Sequence, residues 1–174
     1  MAETQSPSTH ILELTSGSSP DQIAAARRLL LDYGRFVVSH PAAARFCFGS
    51  LEEEAAGLPH IYTDLAGGCL LALLGNEPAG FVAWRPAPGP LAEEAWELKR
   101  LWVAPVGRGS GLGRRLTGAV IDRARVAGRG AVYLDTIPEA MGAAHRLYLD
   151  MGFVPCSAYN DNPVEHLAWL VKKL

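Results

Sequence analysis

The residue types best suited to chemistry stand together between residues 107 and 115. Gly109, Gly111 and Gly113 alternate with other residues directly before a predicted helix. Glycine lets the main chain turn tightly and approach a ligand closely. The free N–H groups of a first helical turn, together with the helix dipole, bind anions. Positive charge is added by Arg108, Arg114 and Arg115. This pattern predicts a phosphate or pyrophosphate site.

The positive charge of the chain is concentrated in the same part of the sequence. The 174 residues include 16 Lys and Arg and 18 Asp and Glu, for a net charge of −2. Half of the basic residues lie between 99 and 130, where Asp122 is the single acidic residue. This excess favours an anionic ligand, although an arginine-rich solvated helix face would give the same pattern. The acidic remainder of the chain disfavours nucleic acid as a partner.

Two common phosphate-binding motifs are excluded. GxGxxG starting at Gly107 would need glycine where Leu112 stands, and the Gly-Lys-Ser/Thr of a P-loop does not occur. The pattern that fits is Arg/Gln-x-x-Gly-x-Gly/Ala directly after a predicted strand. It is matched by Arg108, Gly111 and Gly113.

This pattern is the pyrophosphate-binding signature of the GCN5-related N-acetyltransferases (GNAT), and the chain resembles that family. Further features follow in the family's order: the segment ELKRLWV before the glycines, a strand after the helix, and LYLDMGF at the end of the next helix. The resemblance covers about residues 69–171. It implies acetyl-CoA as the cosubstrate and no metal.

The elements around this segment are predicted from periodicity and turn residues. A crossover from a strand at 95–103 through a helix at 111–127 to a strand at 131–135 implies parallel, right-handed pairing. Hairpins on either side imply antiparallel edges. The other predicted strands are 10–14, 69–74, 79–84, 153–157 and 166–171, and the other helices begin at 19 and cover 51–56 and 138–151.

The expected fold class is α/β (α+β), with a mixed, mostly antiparallel central sheet, a splayed parallel strand pair and helices on both faces. Residues 1–174 are expected to form a single domain with a flexible tail over 1–9 and a loop over 85–90. No long apolar run or basic leader occurs, which predicts no membrane span and no signal peptide. Three scattered cysteines favour a reducing, cytoplasmic compartment.

The resemblance assigns roles to the glycine-rich segment and to the strand before it. The pyrophosphate would be held by the amides of Arg108, Gly109, Ser110, Gly111, Leu112 and Gly113. The strand 97–103 is expected to bulge and to splay from 131–135, so that pantetheine pairs with Leu101 and Val103. The Leu101 N–H would then polarise the thioester carbonyl.

Two further residues are expected to handle protons. Glu97 matches the position of a catalytic glutamate in some family members and would act as a base through water. By strand periodicity it shares a face with Leu101 and Val103. The alternative is that Glu97 only forms an ion pair.

Tyr148 matches the family's tyrosine that protonates the leaving thiolate. The alternative is that it is only a packed aromatic residue. Seven residues earlier, Met141 stands where many members have an asparagine that contacts the cofactor arm.

Other reactive residue types show no chemical pattern. The five histidines (His10, His40, His60, His145 and His166) have no metal-ligand spacing, so no metal site is predicted. Cys47 and Cys156 have no basic neighbour that would favour a thiolate. The segment Tyr159-Asn-Asp-Asn-Pro163 either contacts the acceptor or only forms a turn.

We expect an acetyl-CoA-dependent N-acetyltransferase that acts by direct attack in a ternary complex, with a small-molecule primary amine as acceptor. Amino acids, polyamines, aminoglycoside-like compounds and protein or peptide amines stay open as acceptors. The alternatives are a non-catalytic acyl-CoA-binding regulatory module and a nucleotide-binding regulator. No nucleic acid or membrane partner is expected, and a homodimer stays open.

Overall fold

A seven-stranded mixed sheet positions all the residues discussed below. The structure is a computed structural model and describes residues 8–41 and 48–174. Its strands are β1 (Thr9–Glu13), β2 (Gly68–Leu74), β3 (Glu77–Pro86), β4 (Ala95–Val103), β5 (Ala131–Thr136), β6 (Val154–Pro155) and β7 (Ala168–Lys173). Their order is β1-β2-β3-β4-β5-β7-β6, and of these neighbours β4 and β5 are parallel and the rest antiparallel.

Helices cover both faces of this sheet, as predicted. They are α1 (Pro20–Val38), α2 (Phe48–Ala56), α3 (His60–Thr63), α4 (Leu112–Val126) and α5 (Gly142–Asp150). Ser19 starts α1 with a capping box: its Oγ accepts the Gln22 N–H at 3.2 Å, and Gln22 Oε1 accepts the Ser19 N–H at 2.9 Å. Of the helices in the described residues, none is long and apolar enough to cross a bilayer.

Two hydrophobic cores lie on opposite sides of the sheet. Strand β3 shows the alternation: Phe81 and Ala83 pack with α1, α2 and α3, whereas Val82 and Trp84 pack with α4 and α5. Successive side chains of a strand point to opposite faces, so a strand buried on both faces is apolar at nearly every position.

The parallel pair β4–β5 separates part-way along its length. Pairing runs from Ala95 with Ala131 to Glu97 with Tyr133 and stops there within the described residues. Strand β5 nevertheless stays paired with β7 as far as Thr136. The predicted splayed parallel pair is therefore confirmed, and a gap opens between the carboxyl ends of the two strands.

A β-bulge lies in β4, as predicted, and it overturns the predicted orientation of Glu97. Lys99 pairs with Ala83 and Trp102 pairs with Phe81. The two β4 residues between these pairs, Arg100 and Leu101, therefore stand opposite the single β3 residue Val82. Arg100 has a φ of +59°. The bulge shifts the alternation by one residue. The prediction that Glu97 shares a face with Leu101 and Val103 is therefore wrong.

The packing on the two sides of β4 shows this shift directly. Leu98, Leu101 and Val103 all contact the α4 core, although strict alternation would separate Leu98 from the other two. Trp102 packs in the α1 core. Glu97 precedes Leu98 and so points to the α1 side of the sheet.

Several predicted boundaries also need correction near the chain start and in the loops. Thr9 belongs to β1 and pairs with Leu74, so the predicted tail is too long by at least that residue, and residues 1–7 lie outside the described range. The predicted loop at 85–90 is shorter, because Arg85 and Pro86 extend β3 and pair with β4.

The last elements differ in length from the prediction. Helix α5 starts four residues later than expected, because Met141 N–H bonds to Ile137 O in a preceding turn. The strand expected at 153–157 is reduced to β6, where Pro155 has no N–H to donate. The final strand is displaced by two residues at each end.

Candidate active site

A long cleft of about 550 Å³ runs from the carboxyl end of β4 to α5. Phe36, Trp102, Met141 and Leu147 are among its apolar lining residues. All the residues predicted to bind the cofactor line this cleft except Ser110: they are Leu101, Val103, Arg108, Gly109, Gly111, Leu112 and Gly113. The structure thus brings together residues that the sequence grouped by pattern alone.

The glycine-rich loop presents unpaired amides at one end of the long cleft. Five N–H groups of this loop have no acceptor among the described residues, namely those of Gly109, Gly111, Leu112, Gly113 and Arg114. The first amide bonded into α4 is that of Arg115, which donates to Gly111 O at 3.1 Å. Converging N–H groups at a helix start suit a pyrophosphate.

Two of the amides predicted to bind the pyrophosphate are already engaged. Arg108 N–H donates to Pro105 O at 3.2 Å, and Ser110 N–H donates to Gly107 O at 3.4 Å. The Ser110 hydroxyl donates to the same carbonyl at 2.7 Å. These bonds hold the loop in shape. The first loop amide that is left unpaired for a ligand is therefore that of Gly109 and not that of Arg108.

Backbone conformation explains two of the glycines in the loop. Gly109 and Gly111 have φ values of +79° and +76°, which residues with a Cβ rarely adopt. A Cβ placed at either position would meet nothing within 4 Å, so conformation and not space requires glycine there. At Gly113 the reason is packing, because a Cβ would lie 3.2 Å from Leu147 Cδ2 of α5.

Glu97 lies in a buried network and not at the surface of a cavity. Its side chain is 1% exposed. Oε2 accepts from Arg85 Nε at 2.8 Å, and Oε1 accepts from Tyr159 Oη at 3.0 Å and Asn160 Nδ2 at 3.2 Å. Lys99 Nζ is 3.6 Å from Oε1. Both carboxylate oxygens are thus already occupied.

These contacts determine the ionisation of Glu97. Burial by itself would raise its pKa. The charges of Lys99 and Arg85, with hydrogen bonds from Arg85 and Tyr159, outweigh burial and lower the pKa below its usual value. A carboxylate whose pKa is lowered is a weaker proton acceptor.

Tyr148 is buried against the α4 core but leaves its hydroxyl unpaired. Its side chain is 4% exposed and packs edge-on against Phe153, with 5.6 Å between the ring centroids. The hydroxyl has no hydrogen-bond partner among the described residues, and the ring borders a small cavity of about 30 Å³ together with Leu101 and Met141. Burial raises its pKa above the usual value, so the phenol stays protonated.

Two further cavities lie on the α1 side of the strand gap. The inner cavity, of about 190 Å³, is bordered by Tyr33, Lys99 and Asp135 among others. The outer cavity, of about 660 Å³, extends from Lys99 and Asp135 to Arg85 and the segment 158–163. Asp135 and Lys99 also border the small cavity beside Tyr148.

Asp135 is a site residue that the sequence analysis missed. Its Oδ2 accepts from Asn160 Nδ2 at 2.7 Å and from Asn162 Nδ2 at 3.1 Å. The segment 159–163 therefore contributes side chains to this site. Its place in the sequence could have indicated this. Asp135 lies near the carboxyl end of a parallel strand, where ligands bind in open α/β sheets.

A second, partly buried ion pair ties α2 to the bulge in β4. Arg100 Nε and Nη2 donate to the two Glu54 oxygens at 3.0 and 2.9 Å, and Tyr62 Oη also donates to Glu54. Burial would raise the pKa of Glu54, but the charge and hydrogen bonds of Arg100 bring it below its usual value. Arg100 also lies over the Tyr33 ring, 5.7 Å from its centroid.

Comparison with known proteins identifies the family. Residues 28–153 match the acetyltransferase (GNAT) family model. The chain belongs to the GNAT family. It is 32% identical over 124 residues to an uncharacterized N-acetyltransferase of Schizosaccharomyces pombe, an alignment that covers 71% of this chain and 74% of the relative.

Other matches agree with this assignment. The chain is 34% identical over 123 residues to mouse N-acetyltransferase 8, covering 70% of this chain but about half (52%) of the relative. An acetyltransferase structure from Streptococcus agalactiae superposes with a TM-score of 0.74 at 20% identity, over 95% of this chain and 98% of that one. A Salmonella typhimurium acetyltransferase solved with acetyl-CoA has a TM-score of 0.66 at 17% identity, over 95% of this chain and 93% of that one.

Family membership confirms the predicted fold class and the enzyme class. The protein is an acetyl-CoA-dependent acyltransferase of the GNAT family, and the unpaired loop amides and the long cleft suit that cosubstrate. Among the described residues, no group of three or more His, Cys, Asp or Glu side chains could hold a metal ion.

Proposed function

We propose that this GNAT enzyme transfers acetyl from acetyl-CoA to a primary amine of a small molecule by direct attack in a ternary complex. One observation carries the proposal. The small cavity beside Tyr148 shares Leu101 and Met141 with the long cleft, and Lys99 and Asp135 with the inner cavity. A thioester in the long cleft and an amine in the inner cavity would therefore meet there.

The cosubstrate would be held at two places. The unpaired loop amides of Gly109, Gly111, Leu112, Gly113 and Arg114 bind the pyrophosphate. Arg108 adds positive charge at the rim. The pantetheine arm lies along β4 beyond Glu97, where β5 no longer pairs with it, and bonds to the main chain at Leu101 and Val103. Met141 packs against the arm without forming the amide bonds of an asparagine.

The chemical step needs charge stabilisation and two proton transfers. As the amine nitrogen bonds to the thioester carbon, negative charge grows on the carbonyl oxygen, and the Leu101 N–H stabilises it. The carbon–sulfur bond then breaks, and the leaving thiolate takes a proton from the Tyr148 hydroxyl. The amine nitrogen must lose a proton to a base.

The surroundings of Glu97 modify its expected role. Its carboxylate is buried, its oxygens are engaged and its pKa is lowered. We therefore assign Glu97 a positioning role: it holds Tyr159, Lys99 and Arg85 around the outer cavity. Direct contact between Glu97 and the acceptor is not part of the proposal.

The size of the inner cavity supports a small acceptor. A volume of about 190 Å³ suits a compact amine rather than a folded protein surface. A peptide amine is the second candidate, because the outer cavity reaches Pro88 and Pro90 at the protein surface and has room for a longer chain.

The test combines binding with turnover. Calorimetry should show saturable acetyl-CoA binding, and thiol release should be faster with at least one small primary amine than with peptides. Faster turnover of peptides would support the second candidate. Binding of acetyl-CoA without turnover of any amine would support the non-catalytic binding module.

A further inference from the structure

We propose that Asp135 of β5 binds the acceptor amine and accepts its proton during acetyl transfer. This rests on the proposed function, since it assigns a residue within the site where that amine would react. Glu97 of β4 and Asp135 of β5 are the two carboxylates nearest the strand gap. Glu97 is enclosed by hydrogen bonds and ion pairs, whereas Asp135 has one oxygen without a hydrogen-bond donor among the described residues.

The two oxygens of the Asp135 carboxylate differ in their hydrogen bonding. Oδ2 is held by two amide groups, those of Asn160 at 2.7 Å and Asn162 at 3.1 Å. Oδ1 accepts no hydrogen bond from any described residue. One oxygen is thus fixed and the other is available, and a protonated or neutral amine is the natural donor for a free carboxylate oxygen.

The charge around Asp135 differs from that around Glu97 and Glu54. Among the described residues, no Lys, Arg or His nitrogen lies within 4.0 Å of its oxygens. Glu97 and Glu54, by contrast, are paired with Arg85 and Arg100. Lys99 borders the same cavities and interacts electrostatically with Asp135, but its ion pair is with Glu97, at 3.6 Å from Oε1. A partly buried carboxylate with no cation in direct contact is stabilised when a ligand supplies the positive charge.

The position of Asp135 places it where the two substrates would meet. Asp135 borders the inner cavity, the outer cavity and the small cavity that contains Leu101 and Tyr148. An amine bound to Oδ1 is therefore beside the place assigned to the thioester carbonyl. Glu97 points to the α1 side but is enclosed by Arg85 and Tyr159 and the residues around them.

The proton transfers balance with Asp135 as the base. An amine that binds as an ammonium first loses one proton to water, because a protonated nitrogen has no lone pair. The nitrogen–carbon bond then forms while Oδ1 takes a second proton from the nitrogen. The carbon–sulfur bond breaks with a proton going from Tyr148 to sulfur. The products are the N-acetylated amine and coenzyme A. Asp135 then releases its proton to water, and Tyr148 regains one, so no further reactant is needed.

The decisive variant is Asp135→Asn, assayed as full-length protein with the amines that the wild type acetylates. A positioned acid or base contributes about 100-fold or more to rate, so kcat/KM for the amine should fall by about 100-fold. The dissociation constant of acetyl-CoA, measured by calorimetry, should change by less than about threefold, because Asp135 does not line the long cleft. Asp122→Asn on the exposed side of α4 is the matched control and should behave as the wild type.

Glu97→Gln distinguishes the two carboxylates. If Glu97→Gln abolished turnover per folded molecule while Asp135→Asn kept kcat/KM within about threefold of the wild type, the proposal would be overturned. If Asp135→Asn fails to fold, Asn162→Ala replaces it, since this change keeps the carboxylate and removes one of its two amide donors. A fall of about fivefold in kcat/KM at unchanged acetyl-CoA affinity supports the proposal, and no change overturns it.

The proposed function and the role of Asp135 can be contradicted separately. A wild-type protein that acetylates no amine contradicts the proposed function. A wild-type protein that acetylates amines, together with an equally active Asp135→Asn variant, contradicts the role of Asp135 alone.

Discussion

The glycine-rich loop and the carboxylate site at the strand gap are built in different ways. The loop is one continuous segment from Ala104 to Arg114, and the groups proposed to bind the cosubstrate are main-chain amides. The carboxylate site combines side chains from β3, β4, β5 and the segment 159–163, which are as much as 78 residues apart between Arg85 and Pro163. Strand pairing and splay bring these side chains together.

This difference predicts how each region responds to mutation. The loop depends on backbone angles at two glycines, so a single substitution should change cosubstrate binding with little effect elsewhere. The carboxylate site shares residues with the core of the sheet, so some substitutions there should change stability and others turnover. The following variants test this contrast.

Gly111→Val should give the largest loss of acetyl-CoA affinity, about 30- to 100-fold, because a β-branched residue at a φ of +76° is strained and displaces the loop amides. Calorimetry measures it. Gly118→Val in the middle of α4 is the control, since a Cβ there meets nothing within 4 Å and the helix tolerates valine better than glycine. Equal affinity of Gly111→Val and the wild type would contradict the assigned role of the loop.

Glu97→Gln should reduce the free energy of unfolding by about 2 kcal/mol, because it leaves the partly buried charges of Arg85 and Lys99 without a carboxylate. Arg85 is 39% exposed, so the loss should be below that of a fully buried pair. Urea unfolding measures it, with the exposed Glu52→Gln as the control. A loss of acetyl-CoA affinity instead of stability would contradict the positioning role.

The loss of stability in Glu97→Gln should depend on pH. The pKa of Glu97 is lower in the folded protein than in the unfolded chain, so its stabilisation is present above the unfolded value of about 4.3 and is lost as pH falls through the folded value. The difference in unfolding free energy between wild type and Glu97→Gln should therefore narrow as pH falls below about 4.3. A difference that stays constant with pH would show that the charge of Glu97 is not the cause.

Tyr148→Phe should lower kcat by about 10-fold with acetyl-CoA affinity and melting temperature unchanged, because its hydroxyl has no partner among the described residues to lose. Tyr133→Phe on β5 is a matched control outside the assigned chemistry. Identical kcat values for Tyr148→Phe and the wild type would support the alternative that Tyr148 is only a packed aromatic residue.

Arg108→Gln should have the smallest effect, a rise of about threefold in the KM for acetyl-CoA that disappears at high salt. The side chain is exposed and is held by Val103 O at 3.3 Å and by the Trp102 ring, 5.3 Å from its centroid. Arg125→Gln, at the far end of α4, should leave the KM unchanged. A larger loss than that of Gly111→Val would mean that side-chain charge, and not the main chain, dominates cosubstrate binding.

Sequence analysis was most successful where the relevant contacts are local. The order of strands and helices around the glycines follows from periodicity over short windows, and the splay of β4 from β5 follows from the family pattern. The face of Glu97 was predicted wrongly, because the alternation of a strand is reliable only until a bulge interrupts it. The φ of Arg100 at +59° that marks this bulge is not encoded by an obvious glycine.

The sequence alone determined the glycine-rich loop and its unpaired amides, because these depend on glycine angles and consecutive residues within a single turn of chain. Only the tertiary structure separated the two carboxylates by their surroundings. Glu97 is two residues from Lys99 in sequence, yet it is enclosed by Arg85 and Tyr159, whereas Asp135 keeps an oxygen open to the cavities. Ionisation and access depend on neighbours brought together by sheet register, and such neighbours leave no short-range pattern in the chain.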